Sequence, residues 1–260
     1  MFDPSLPYNS LPLLPPDVNL RSPIILEKTI QAARSLSLLN GSCMQLPNPA
    51  ILINSIILQE AKDSSEIENI ATTHDALFKA YSSERNNLDS QTKEVLNYRE
   101  ALWTAYNQLK VRPLLTTNLF IQIVQTLKKN NAAIRNAPGT KLMNPETGKV
   151  YYTPPEGESL IRDLLKNLED YIHAEDGLDT LIKMAVIHYQ FEAIHPFFDG
   201  NGRTGRIINI LYLVSQNLLS LPLLYLSRYI IQNKADYYQA LRKVTSDNAW
   251  EPWVLYMLSA

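Results

Sequence analysis

The chain has 260 residues, of which 45% are hydrophobic and 19% charged, and its formal net charge is −2. That length permits one large domain or two small ones with a sizeable core, and the near-neutral total excludes bulk electrostatic attraction to nucleic acid or to an anionic membrane. The lone cysteine, Cys43, excludes an intrachain disulfide and a cysteine-built metal framework, and it points to a reducing compartment.

The first 23 residues contain six prolines. Proline fixes φ and lacks an amide donor, so this stretch reads as an extended, irregular arm across the surface, with a disordered tail as the alternative. No basic region leads into a long apolar run, so it is not a signal peptide. No uninterrupted apolar stretch reaches about 18 residues, so no membrane-spanning helix is expected and the expected location is the cytoplasm.

From Ile24 onward the pattern is helical. PIILEKTIQAARSLSLLNG has helical apolar spacing and is expected to stop at Asn40-Gly41. NPAILINSIILQEAKDSSEIENI opens on Asn48-Pro49, a cap followed by a first-turn proline. QTKEVLNYREALWTAYNQL, TNLFIQIVQTLKK, SLIRDLLKNLEDYIH and LDTLIKMAVIHYQFEAI are amphipathic. TGRIINILYLVSQNLLS, LLYLSRYIIQN, ADYYQALRKV and NAWEPWVLYML follow, and Asn248 with Glu251 fits a capping box. GTKLMNPETGKVYYTPP differs: turn residues Asn144 to Gly148 between β-tolerant runs predict a β-hairpin. The expectation is an all-α chain with this one short hairpin. It reads as a single compact domain with an arm at 1–23, a helical region at 24–110 and a core at 111–260.

The chemistry concentrates in FEAIHPFFDGNGRTGR, Phe191 to Arg206. A helix runs into His195-Pro196, where proline discourages continuation, and a new helix begins near Gly202. Gly200, Gly202 and Gly205 match the dinucleotide-binding GxGxxG, but that motif needs a preceding strand and a carboxylate about 20 residues later, and neither is present. No Gly-Lys-Ser/Thr exists for a Walker loop. His188, Glu192 and His195 could share a helical face as zinc ligands, yet no HExxH occurs and Pro196 abuts His195. A phosphate site fits better. Glycines at a helix start let backbone amides approach an anion, and the macrodipole favours it. Arg203 and Arg206 project from one face as phosphate-gripping guanidiniums. Asp199 offers a hard oxygen for Mg²⁺, and His195 can accept a proton from an attacking hydroxyl. These parts describe phosphoryl or nucleotidyl transfer.

HPFFDGNGRTGR resembles the Fic-family signature HxFx(D/E)GNGRxxR at every fixed position, and the proline-rich start, SSEIEN, the hairpin and LYLSRYI resemble the family over most of the chain. The resemblance implies a Fic-type helical fold with a hairpin flap, and a protein adenylyltransferase that moves AMP from ATP to a Tyr, Thr or Ser hydroxyl. By this resemblance His195 is the general base and Asp199 the Mg²⁺ ligand. Gly200, Asn201 and Gly202 form the anion cradle, with Asn201 on phosphate oxygens. Arg203 steadies the leaving diphosphate, Arg206 meets the γ-phosphate and Phe197 anchors the loop. Thr204, Gly205 and Tyr238 complete the nucleotide-binding set, Tyr237 being the alternative to Tyr238. The flap, about Lys141 to Tyr152, docks a target segment by strand addition. The implied cofactors are ATP and Mg²⁺. The implied partners are a hydroxyl-bearing target protein and the chain itself, with a homodimer compatible and no nucleic acid or membrane involved. Intact Gly202 and Arg203 favour ATP over a UMP or phosphoryl donor, and intact His195 and Asp199 favour an enzyme over a nucleotide-sensing scaffold.

SSEIEN also resembles the family's (S/T)xxxE(G/N) inhibitory motif, matched by Ser64, Glu68 and Asn69. Glu68 lies one helical turn past Ser64. The resemblance implies that Glu68 pairs with Arg206, occupies the γ-phosphate position and inhibits transfer, and that it could position water for removal of AMP. His74 reads as surface polar, His173 as complementing a helix C-terminus, Cys43 as a buried apolar residue and the C-terminal aromatics as mostly core.

Overall fold

A computed structural model describes residues 2–45, 49–82, 88–144 and 147–260. Among them the chain is helical except for one two-stranded antiparallel hairpin. The centre is α7 (Thr180–Ile194), in which all residues but Thr180 and Glu192 are buried. A helix buried on nearly every side has to be wrapped by others. α8 (Asn201–Ser215) lies against it, and α6 (Glu158–His173) and α11 (Trp250–Met257) pack on it as well. Gly205 sets the spacing between α7 and α8. A Cβ there would come within 2.8 Å of Glu192 Oε1, 3.2 Å of Phe191 Cδ1 and 3.3 Å of His188 Cε1.

α1 (Pro23–Met44) crosses α7 and α11. α2 (Pro49–Ile67) packs on α4 (Ser90–Val111), α8 and α9 (Leu226–Gln232). Buried Glu60 fixes α2 in place by accepting from Ser227 N at 2.9 Å, Ser227 Oγ at 2.6 Å and Tyr98 Oη at 3.1 Å. The end of α2, two turns further on, is thereby held beside the start of α8. α3 (His74–Ser82), α5 (Thr117–Lys128) and α10 (Lys234–Asp247) complete the helices.

The proline-rich arm is extended and bound, not a loose tail. Leu11, Leu14 and Leu20 are buried. Tyr8 N donates to Thr153 O at 2.9 Å, Gln190 Nε2 to Pro12 O at 2.9 Å, and the Asn167 amide pairs with both Leu14 backbone groups at 2.8 and 3.0 Å. The hairpin joins β1 (Leu142–Met143) to β2 (Val150–Tyr152), pairing Leu142 with Tyr152 and Met143 with Val150. Tyr152 Oη donates to Ala193 O at 2.7 Å, which ties the flap to the end of α7. Pro145 and Glu146 of the expected turn, and the expected cap Asn48, lie outside the described residues.

Two expected helix ends are corrected. α1 runs through Asn40-Gly41 to Met44, because Asn40 Oδ1 is engaged by Ser220 N at 3.0 Å and does not close the helix. Asn248 and Glu251 form no capping box. Asn248 takes a left-handed conformation (φ 53°) that ends α10 and accepts from Trp250 Nε1 at 2.9 Å, while Glu251 accepts from Ser22 Oγ at 2.6 Å. α3, which the apolar pattern did not reveal, starts where Thr73 Oγ1 accepts from Ala76 N at 3.1 Å.

Trp253 is fully buried, stacks on His188 with ring centroids 5.9 Å apart and donates to Ala185 O at 2.8 Å. Trp253→Ala is expected to lower the unfolding free energy by about 3–5 kcal/mol. The check is an earlier urea midpoint with an unchanged slope.

Candidate active site

The site begins where α7 stops. His195, at φ 49° and ψ 59°, caps the helix in the left-handed region, which is uncommon for a residue with a side chain. Arg135, 1% exposed, holds it there. Its Nε donates to His195 O at 2.7 Å and its Nη2 to Ile194 O at 3.2 Å and to Pro155 O. Burial, and then the Arg135 charge, push the His195 imidazole down to about 4. The ring is therefore neutral at physiological pH.

The loop then folds onto itself. Phe197 is 1% exposed, and Asn201 closes the turn by accepting from Phe197 N at 2.9 Å and donating to Phe197 O at 2.7 Å. Both polar atoms of the Asn201 side chain are thus engaged, which leaves its backbone amide to face an anion. Gly200, at φ 81°, supplies the left-handed turn into α8, and no side chain caps that helix. An uncapped N-terminus presents free N–H groups and the positive end of the helix dipole.

Arg203 and Arg206, 0% and 1% exposed, project from the first turns of α8, and Glu68 bridges them. Arg203 Nε meets Glu68 Oε2 at 2.9 Å, and Arg206 Nη2 meets Glu68 Oε1 at 3.0 Å. Ser64 adds two acceptors for Arg206, its Oγ from Nε and its backbone O from Nη2, both at 2.7 Å. The carboxylate sits on the backbone of the cradle. A Cβ on Gly202 would lie 2.5 Å from Glu68 Oε1 and 3.0 Å from Arg206 Nη1. Only glycine leaves room for an anion there. Asn69, at φ 64°, turns the chain off α2 immediately after Glu68. Burial disfavours the Arg206 charge, but Glu68 together with Tyr237, Tyr98 and Glu192 more than offsets it and holds the guanidinium ionised.

Asp199 faces two cations, Lys128 Nζ at 2.6 Å and Arg203 Nη2 at 3.6 Å. Partial burial pushes its carboxyl up, yet Lys128 and Arg203 together hold it below the usual range. Its side chain is 58% exposed. Among the described residues no group of three His, Cys, Asp or Glu side chains is placed to hold a metal. The donor set fits a hard cation that takes one carboxylate and draws its other ligands from phosphates and water. Magnesium carried by a nucleotide meets that description.

A cavity of about 700 Å³ opens beside Glu68. Asn69, Glu192, Lys234, Tyr238 and the flap residues Lys141 to Asn144, Tyr151 and Tyr152 contribute to its walls. Burial raises Glu192 to about 7. Tyr237 lies behind Tyr238, fully engaged with His188 Nε2 at 2.8 Å. Burial pushes His188 down to about 3, as suits a neutral structural histidine.

The fold therefore brings Ser64 and Glu68 onto Gly202, Arg203 and Arg206, with Asp199 and His195 on the same loop and Asn69 and Tyr238 on the cavity wall. Gly205 instead faces α7, and Thr204 is fully buried. Sequence reading missed Arg135, Glu94 and Lys128. Glu94 Oε2 accepts from Arg203 Nη1 at 2.7 Å, and its Oε1 accepts from Lys128 Nζ at 2.9 Å. Nothing in the spacing of these residues ties them to the loop.

Residues 26–107 match the family described as Fic/DOC family N-terminal. A probable protein adenylyltransferase of Aquifex aeolicus (strain VF5) is 33% identical over 92 residues, 35% of this chain and 26% of that protein. Protein adenylyltransferase fic-1 of Caenorhabditis elegans is 29% identical over 144 residues, 53% of this chain and 26% of that protein. The chain thus spans only 26% of the length of each of these two relatives. A Fic family protein from Desulfovibrio desulfuricans G20 superposes with a TM-score of 0.73 at 20% identity, covering 92% of this chain and 71% of that one. A Fic domain containing signaling protein from Bacteroides thetaiotaomicron VPI-5482 superposes with a TM-score of 0.69 at 18% identity, covering 90% and 91%. The architecture is that of the Fic fold.

Removing the Glu68 charge leaves buried guanidiniums short of a counter-anion. Glu68→Gln is expected to lose about 3 kcal/mol, the lower end for a broken buried pair because Glu68 is 21% exposed. Tripolyphosphate should raise the melting temperature of the variant more than that of the parent. Equal shifts would contradict the anion site.

Proposed function

We propose that this chain, whose residues 26–107 match the Fic/DOC family N-terminal region and whose architecture is the Fic fold, is a protein adenylyltransferase, transferring AMP from ATP to a Tyr, Thr or Ser hydroxyl of a protein and held in check by Glu68. The observation that carries this reading is the Glu68 carboxylate lodged between Arg203 and Arg206 directly over Gly202. A protein side chain there is an internal anion in a site built for anions.

The steps follow from the residues. Glu68 withdraws and frees both guanidiniums for the triphosphate, Arg206 for its terminal phosphate and Arg203 for the departing end. His195, half-buried beside Arg135 and held neutral there, accepts the proton of the target hydroxyl. That oxygen forms a bond to the α-phosphorus as the bond from phosphorus to the bridging oxygen breaks, and diphosphate leaves with the electron pair. Asp199 would hold magnesium, whose charge, when present, offsets that of the α- and β-phosphates. Open backbone amides at the α8 N-terminus take part of the same charge. The cavity beside Tyr238 would receive the nucleoside, and the exposed Leu142 and Met143 of β1 would pair with an extended target segment.

With Glu68 in place, ATP can enter only with its terminal phosphate displaced and its α-phosphate turned from in-line attack. Modification of the chain itself, removal of AMP through a water held by Glu68, a homodimer and action in the cytoplasm belong to the same proposal.

Glu68→Gly should raise incorporation of labelled AMP into the chain or a target protein by at least about tenfold, in line with recovery of a transition-state charge contact. His195→Ala in that background should abolish it. An unchanged rate in Glu68→Gly removes the inhibitory role. The low His195 value also sets a pH profile. In Glu68→Gly the acid limb of kcat/KM should lie below 6.5, toward about 4. A limb at or above 6.5 would count against a neutral base at His195.

A further inference from the structure

Four side chains beside the loop form a closed ring of alternating charge. Glu94 Oε1 pairs with Lys128 Nζ at 2.9 Å, and Lys128 Nζ pairs with Asp199 Oδ2 at 2.6 Å. Asp199 Oδ1 faces Arg203 Nη2 at 3.6 Å, and Arg203 Nη1 returns to Glu94 Oε2 at 2.7 Å. Three elements contribute: α4 supplies Glu94, the last residue of α5 is Lys128, and Asp199 and Arg203 flank the start of α8. α5 is pressed against that start, since a Cβ on Gly200 would meet Val124 Cγ2 at 3.4 Å and Lys128 Cδ at 3.8 Å. The Lys128 side chain is only 18% exposed, so the fold holds its ammonium at this place.

The ring is unequal in one respect. Asp199 is its exposed member, 58% accessible, and Glu94 is its anchored one. Both cations keep a partner on Glu94 if Asp199 is taken away. A divalent ion arriving at Asp199 would therefore displace a positive charge without leaving that charge unpaired, which is the costly outcome for a buried ion.

Resting on the reading of Asp199 as the magnesium ligand, we propose that Lys128 is the resident counter-cation of Asp199, exchanged for the divalent ion when the metal–nucleotide enters, and that Glu94 is the residue that retains it. Lys128 is then a positioning residue that sets how much metal the site needs. With no metal present, the ammonium keeps the exposed carboxylate turned toward the cradle. With metal present, its charge opposes the incoming ion at close range.

The test is Mn²⁺ binding, read by electron paramagnetic resonance, with α,β-methylene ATP, which cannot release diphosphate. The parent for the comparison is Glu68→Gly, so that the arginines are open. Adding Lys128→Met should tighten Mn²⁺ binding by about tenfold, the scale on which outer partners of a metal ligand act. Adding Glu94→Gln should weaken it, because both cations then fall back on Asp199. Lys129→Met makes the same charge change one residue along, where Lys129 pairs with Glu100, and should leave binding unchanged. Opposite shifts in Lys128→Met and Glu94→Gln, in proteins with intact melting transitions, support the exchange. Unchanged or weaker binding in Lys128→Met overturns it and leaves the nucleotide site standing. A parent that takes up no more Mn²⁺ than its Asp199→Asn form overturns both.

Discussion

Two guanidiniums buried at a helix mouth cannot stand alone. Arg203 and Arg206 are almost fully shielded from water, and an uncompensated buried charge costs several kcal/mol. They are also aligned with the positive end of the α8 dipole, which adds to the same demand. The fold must place an anion between them, and in this structure the anion is Glu68. On the proposed reading, structural support and functional restraint are one contact. On the same reading, a triphosphate would meet these guanidiniums by replacing the carboxylate.

The surrounding architecture is arranged to keep that mouth in register. α7 is buried nearly all round and gives the loop a fixed base. Arg135 ties the carbonyls of Ile194 and His195 to that of Pro155, in the irregular segment after the flap, which holds the histidine in its left-handed conformation. Asn201 closes the loop onto the backbone of Phe197, and the Phe197 ring is sealed in the core beside Phe191. Glu60 pins α2 to α9 and α4, so that Ser64 and Glu68 reach α8 from a rigid element. Each of these groups fixes the position of a neighbour.

The loop from His195 to Arg206 was legible because its chemistry is local. Histidine, carboxylate, glycines and arginines lie within one turn and one helix start. The helices were legible where apolar spacing was strong, and the hairpin where turn residues broke that spacing. Helix ends were less so. Asn40-Gly41 has the composition of a stop, but Asn40 is recruited by Ser220 across the fold, and Asn248 ends one helix where it had looked like the start of the next. Glu94, Lys128 and Arg135 were not legible at all. On their own helices and loop they read as ordinary surface charges, and only the packing of α4 and α5 onto the loop gives them partners. The reverse holds for Asn201, whose place in a glycine-rich loop suggests phosphate contact while its amide holds the loop closed.

The central claim is that Glu68 occupies the place of a phosphate. Its most direct test is a crystal structure of Glu68→Gly soaked with ATP and magnesium. Phosphate oxygens are expected on Arg206 Nη2 and over Gly202, with the α-phosphorus facing His195. A triphosphate bound away from the α8 N-terminus, with Arg203 and Arg206 in contact with protein groups alone, would contradict it.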